Sequence, residues 1–129
     1  MVARTRFAQV VVGLGGVLYL LSGAALLLVP RWFFDNIGHY PPFNRHYSGD
    51  LGGFLLVLGA GLLIAARDPY RHRLLVGVGA GASLLHALNH TYDALIGQAS
   101  LAHWLSDTLP LLIFAALILL AFRNVLAGR

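Results

Sequence analysis

The residues best suited to chemistry lie in one short stretch, His86-Ala87-Leu88-Asn89-His90-Thr91-Tyr92-Asp93, which ends an otherwise apolar or glycine-rich run. Because residues four apart share a helical face, His86 and His90 are expected to stack on one side of a helix, with Asn89 and Asp93 beside them. On a soluble surface helix such groups are ordinary. Inside a membrane segment they are costly and need partners.

Two other apolar runs begin with a similar pair of residues. His46 and Asp50 are four residues apart, as are His103 and Asp107. Heights can be counted from the ends of the runs near Ala66, Leu74 and Phe122, which are predicted to lie on one side of the membrane. At a rise of about 1.5 Å per residue, both pairs and the stretch that begins at His86 then lie at roughly 18 to 30 Å. An apolar bilayer core is about 30 Å thick, so the pattern predicts one polar layer in a single leaflet.

Imidazole and carboxylate groups without sulfur suit Zn(II), Fe(II) or Mn(II), and the chain has no Cys and a single Met. The predicted metal ligands are His46, Asp50, His86, His90, His103 and Asp107, with Asp93 placed to orient an imidazole. A water bound to such a metal would be a nucleophile. Haem is a less favoured cofactor, because two histidines at i and i+4 of one helix cannot both be axial to one iron.

The same residues also suit a purely structural role. Asp50 and Asp107 fall in the first turns of their helices, where the helix dipole and unpaired N–H groups favour a carboxylate. His46, Asp93 and His103 are placed where they could face interfacial water. A His–Asp hydrogen-bond network that fixes helix register, or a proton or ion relay, is therefore an alternative to a metal site.

The composition places the chain in the membrane class. Hydrophobic residues make up 58% of the 129 residues and charged residues 11%, with a mean hydropathy of +0.75, which leaves too little polar surface for a soluble globule. We predict an all-α integral membrane four-helix bundle forming one domain over 1–129, with helices at about 7–29, 47–66, 74–93 and 101–122. The first run is longer than the core of a signal peptide, which has roughly 7 to 15 residues.

The arginines predict the orientation. Seven lie on one side of the predicted spans (Arg4, Arg6, Arg67, Arg71, Arg73, Arg123 and Arg129), and Arg31 and Arg45 lie on the other. The positive-inside rule therefore places both termini in the cytoplasm of a multi-pass protein of the cell membrane. Because these arginines lie in short loops and tails rather than in a stripe, no nucleic-acid partner is expected. The expected partners are the lipid bilayer and either another membrane protein or further copies of the chain.

Glycines and aromatic residues suggest how the helices pack. Gly49 with Gly53, and Gly77 with Gly81, have the small-xxx-small spacing, and Gly13, Gly16 and Gly23 line the first predicted helix. Such small residues let membrane helices approach closely. The segment 31–45 is predicted to be a loop rich in aromatic residues and proline. Its composition is typical of an anchor at the membrane interface, and a lid or a partner surface is the alternative.

The stretch from Pro42 to Gly52, with His86-x-x-x-His90, resembles a group of small four-helix membrane proteins encoded in actinobacterial genomes. That group carries Tyr-Asn-x-His-x-x-x-Asp-x-Gly before its second helix, and Phe43 stands here in place of the tyrosine. The resemblance spans most of the chain and implies the four-helix membrane fold. It implies no activity.

Two functions are therefore open. The first is a metal-binding membrane protein, including a metal-dependent enzyme acting on a lipid or another small molecule at the outer leaflet. The second is a non-catalytic membrane subunit or interaction protein whose polar layer is structural. No serine has the context of a nucleophile, and the glycines lie within apolar runs with no preceding strand, so a phosphate-binding loop is not expected.

Overall fold

The computed structural model describes residues 2–97, 102 and 104–128. The described chain folds into five α-helices and one π-helical turn. These are α1 (Val2–Leu28), α2 (Pro30–Asn36), α3 (Arg45–Arg67), α4 (Arg73–Leu95), the π turn (Trp104–Thr108) and α5 (Leu109–Ala127). The predicted all-α class is confirmed. Helices α1, α3 and α4 correspond closely to the first three predicted runs, whereas the predicted run 101–122 is a π turn followed by α5 in its described part.

Three stretches of the described residues are long and apolar enough to cross a membrane: Thr5–Leu28, Arg45–Arg67 and Trp104–Ala127. Helix α4 has 23 residues but is not among these stretches. Its glycines and the polar residues of its last turns, from His86 onwards, lower its hydropathy. The structure thus bears out three of the four predicted spans by length and composition.

The long helices run alternately up and down, so that the molecule has two distinct ends. At one end, the hydroxyl of Thr5 in α1 donates to the hydroxyl of Tyr70, in the turn between α3 and α4, over 3.4 Å. Gly128, after α5, lies against the ring of the same tyrosine. We call this end the terminal end. The opposite end holds α2 and the connections on either side of it, and we call it the loop end.

The prediction of a loop over 31–45 is wrong for its first part, which forms α2. Pro30 occupies the first turn, where its fixed φ suits a helix and its missing N–H costs nothing. The guanidinium of Arg31 donates to Asp35 one turn later over 2.9 Å, and such i,i+4 pairs support short helices. The aromatic and proline content of the segment indicated an interfacial loop. The two features that favour a helix, Pro30 at its start and the pair of Arg31 with Asp35, were therefore not taken into account.

The tightly packed core occupies the terminal half of the bundle. Helix α1 packs mainly against α3 and also against α5, and α4 packs mainly against α5. The fully buried side chains are small or branched, and include Val12, Leu62, Val76, Ile118 and Val125. Nearer the middle, the hydroxyls of Tyr19 in α1 and Ser83 in α4 share a buried hydrogen bond of 2.6 Å, and Ser83 also donates to the carbonyl of Gly79 over 2.7 Å.

Helices α1 and α3 approach so closely that their backbones touch. A Cβ on Gly59 would lie 2.5 Å from the backbone nitrogen of Leu20 and 2.8 Å from the carbonyl oxygen of Gly16. A Cβ on Gly23 would lie 2.7 Å from the carbonyl oxygen of Gly52. Any larger residue at these positions must separate the two helices, so α3 packs through Gly52 and Gly59.

Gly16 and Gly23 of α1 pack closely against α3, as predicted, whereas most glycines of the predicted small-xxx-small pairs make no contact with another described helix. Among the described atoms, a Cβ on Gly53 or on Gly81 would meet nothing within 4 Å. Gly49 faces only Arg45 of its own helix, whereas Gly77 lies against the ring of Phe122. The spacing of four was correct for a helix, but the contact face is set by which side of α3 meets α1.

We expect Gly59→Ala to lower the free energy of unfolding by about 1–3 kcal/mol, because the added methyl group collides with the backbone of α1. Gly53→Ala is the matched control, since it makes the same change on the same helix and gains the same helix propensity. The measurement is denaturant unfolding in detergent micelles, followed by circular dichroism. Equal stabilities of the two variants would contradict the close approach of α1 and α3.

Candidate functional site

The loop half of the bundle contains a half-open cavity of about 500 Å³ between the four long helices. Its walls are mostly apolar and strongly aromatic. Residues that line it include Leu26, Phe33, Phe34, Leu51, Leu55 and Phe114. Because Phe33 and Phe34 belong to α2, this short helix covers the cavity, and the adjacent Trp32 is 53% exposed.

One side of the cavity is polar, where His90, Asp107 and Tyr40 meet. Nδ1 of His90 lies 2.6 Å from Oδ2 of Asp107. The hydroxyl of Tyr40 donates to the same oxygen over 3.3 Å and lies 3.0 Å from Nδ1 of His90. The side chains of His90 and Asp107 are 12% and 25% exposed, so the pair is largely shielded from solvent. We call these three residues the polar triad.

Three separate elements supply the triad. His90 lies in the last turns of α4, and Asp107 lies in the π turn that precedes α5. Pro110, in the first turn of α5, has no N–H to donate to the carbonyl of Ser106 and so prevents a regular α-helix there. A π turn re-aims the side chains it carries and is often found at functional sites. Tyr40 comes from the connection after α2, close to Gly38.

The hydrogen bonds define the state of His90. An ionised carboxylate only accepts hydrogen bonds, so Nδ1 of His90 carries the proton that faces Asp107. In the neutral ring, Nε2 is then the unprotonated nitrogen and can accept a hydrogen bond or a proton. A carboxylate that orients an imidazole in this way occurs both in general-base sites and behind metal-binding histidines.

Tyr40 stays protonated at neutral pH. Burial raises the pKa of its hydroxyl, and the charge of Asp107, the hydrogen bond to Asp107 and the charge of Asp93 raise it further, to about 12. The neutral hydroxyl is therefore a persistent donor to Asp107. Sequence reasoning missed Tyr40, because it lies in an irregular segment whose aromatic content was interpreted as an interfacial anchor.

His86 completes the polar side of the cavity. It lines the cavity, and its ring stands edge-on to that of His90 with the ring centres 4.7 Å apart. The predicted stacking of these two histidines is therefore found. Asp93 accepts a hydrogen bond of 3.3 Å from Asn89 on the same helix and reaches the triad only through its charge.

His46 and Asp50 lie elsewhere. They pair with each other over 3.4 Å, with side chains that are 80% and 57% exposed, and neither lines the cavity. The cause is the start of α3, where the side chain of Asn44 accepts hydrogen bonds from the backbone N–H groups of His46 and Tyr47. With α3 begun at that point, Ser48, Leu51 and Leu55 face the cavity. The His/Asp pairs lie at similar heights along their helices, but height does not determine whether a side chain faces the cavity or the outer surface.

The predicted ligand set is thus only partly assembled. The structure brings together His86, His90 and Asp107 and separates His46 and Asp50 from them. His103 lies outside the described residues. Among the residues that are described, no three His or Asp side chains form a group that could hold a metal ion. A metal at this site remains a prediction.

Comparisons with known proteins supply no relative. Protein-family models, curated proteins and solved structures were all compared with the chain, and none matches. The resemblance to the small actinobacterial membrane proteins therefore remains a prediction, based on the motif that begins at Asn44 and on the pair His86 and His90. In the structure, Asn44 has a clear local role as the cap of α3.

Proposed function

We propose that the chain is a four-span protein of the cell membrane with both termini in the cytoplasm. The three apolar stretches support membrane insertion. Helix α4 packs in the same bundle against α5, and its two histidines both line the cavity. Most arginines belong to the terminal end, and by the positive-inside rule this supports a cavity in the outer half of the membrane.

Within that membrane protein, we propose that the cavity binds an amphiphilic small molecule. The observation that carries this proposal is an apolar, aromatic cavity of about 500 Å³ with the polar triad on one side. Ligand sites typically enclose about 300–1,000 Å³ and combine apolar walls with a few oriented polar groups. An amphiphile would place its chain against Leu51 and Leu55 and its polar group beside His90.

The proposed topology can be tested directly, because the chain has no native Cys. We expect a membrane-impermeant maleimide to label Asn36→Cys and Ile96→Cys in intact cells, since both positions are exposed and lie at the loop end. Arg71→Cys, in the exposed turn at the terminal end, should react only after the cells are permeabilised. Labelling of Ile96→Cys only after permeabilisation would show that α4 does not span the membrane.

Ligand binding can be tested by filling the cavity. Ser22 lines the cavity, so Ser22→Phe should displace an occupant. The control is Leu21→Phe, because Leu21 is 60% exposed and does not line the cavity. With tritiated 4-octylphenol as probe and purified protein in lipid nanodiscs, we expect Ser22→Phe to weaken binding about tenfold or more, which corresponds to about 1.4 kcal/mol. Equal binding by the two variants would contradict the proposal.

A metal site is the second candidate, and one observation favours it. Asp107 holds Nδ1 of His90, so that Nε2 is left as a ligand, and His86 is in contact with the same ring. This is how a carboxylate behind a histidine supports metal binding. Zn, Fe or Mn would suit these groups, and a metal-bound water would allow hydrolytic chemistry on the cavity's occupant.

If a metal binds there, elemental analysis of detergent-purified protein should find near-stoichiometric metal. We expect His86→Ala combined with His90→Ala to remove it, because both imidazoles are lost. His46→Ala should retain it, because His46 lies on an exposed face of α3. A metal content that is unchanged in the double variant would exclude these ligands.

If neither metal nor amphiphile binds, the polar layer is a structural hydrogen-bond network of a non-catalytic membrane subunit.

A further inference from the structure

We propose that the cavity selects an uncharged amphiphile whose head is a phenol-type hydroxyl. This inference depends on the proposed amphiphile-binding function and adds the chemistry of the head group. It follows from the charges around the cavity, from the hydrogen-bonding capacity of the triad, and from the aromatic walls.

The charges argue against an anionic head such as a phosphate or carboxylate. The chain has no Lys, and none of the described residues that line the cavity is an Arg. Of the arginines at the loop end, Arg31 pairs with Asp35, and Arg45 donates to the carbonyl of Leu27 over 3.4 Å. An anion beside Asp107 would meet a like charge, and no arginine among the described lining residues would offset it, which disfavours binding.

The hydrogen bonds indicate that the ligand must donate. Oδ2 of Asp107 already accepts from Tyr40 and faces the protonated Nδ1 of His90. The acceptor that the triad presents in the neutral state is therefore Nε2 of His90. A hydroxyl satisfies this nitrogen without bringing a second charge into an apolar cavity. A protonated amine could also donate to Nε2, but it would carry a new charge into an apolar cavity, which is costly, and the nearby carboxylate of Asp107 is already engaged by His90 and Tyr40.

The walls favour a ring next to that hydroxyl. Tyr40 stands edge-on to His90 with ring centres 5.3 Å apart, and Tyr19 is edge-on to Phe114 at 6.2 Å. All four residues line the cavity. Aromatic side chains hold a further ring in edge-to-face or offset contacts that add to its burial. A phenol combines such a ring with a hydroxyl donor.

The test compares 4-octylphenol with 4-octylanisole, which has the same ring and chain but no hydroxyl proton. Tritiated 4-octylphenol bound to the intact protein in nanodiscs is displaced by each unlabelled compound and by octyl phosphate and octylammonium. We expect the phenol to bind about threefold to tenfold more tightly than its methyl ether, as one net hydrogen bond predicts. Octyl phosphate should bind most weakly.

The variant His90→Leu should abolish the preference for the phenol over the ether, while His46→Leu, on the exposed face of α3, should keep it.

Equal affinities of phenol and ether in the unmodified protein would overturn the inference. The proposed binding function of the cavity would still stand, provided that Ser22→Phe blocks the binding of both compounds. Tighter binding of octylammonium or octyl phosphate would also overturn it. No binding of any compound above the Ser22→Phe background would overturn the inference and the proposed function together. The comparison of phenol and ether needs no variant, so a misfolded His90→Leu protein would leave the test intact.

Discussion

The contact between His90 and Asp107 holds together the end of the molecule where the cavity lies. It joins α4 to the chain that enters α5, and through Tyr40 it also ties down the connection after α2. Helix α4 also packs along α5, and the contact extends this pairing to the π turn and to the connection that carries Tyr40. Removing one partner of such a shielded pair would leave the other unsatisfied, at a cost of about 1–3 kcal/mol. The pair therefore acts both as a structural tie and as the chemical centre of the cavity.

The two halves of the bundle differ in how tightly their side chains pack. In the terminal half, small and branched side chains such as Val12 and Ile118 pack without exposure, and the glycine contacts bring α1 and α3 together. Tyr19 and Ser83 mark the level at which this packing gives way to the cavity. A rigid half can support an open half because the helices are continuous through both, and their positions are set where packing is tightest.

The chemistry of the cavity reflects its apolar surroundings. A carboxylate is costly there unless it is hydrogen-bonded, and Asp107 meets this requirement through His90 and Tyr40. The raised pKa of Tyr40 belongs to the same arrangement, because burial disfavours its ionised form and a second negative charge beside Asp107 is disfavoured as well. What remains for a ligand is an oriented imidazole in an aromatic cavity.

The sequence by itself determined the features that depend on local pattern. Hydropathy and length predicted the long helices and the membrane class, and the fourfold spacing predicted the contact of His86 with His90. These are properties of single helices, so they survive without knowledge of the neighbours. The matching heights of His90 and Asp107, which meet in the structure, were also predictable, because height along a helix follows from residue count.

Only the tertiary structure decided which faces meet. It turned His46 and Asp50 outward, assigned packing to Gly59 rather than to Gly53, and brought Tyr40 from an irregular segment to the side of His90. Each outcome depends on the rotation of one helix about its axis relative to another, which is set by contacts between distant parts of the chain. Hydropathy in this chain is nearly uniform around its helices, so no local signal specified that rotation.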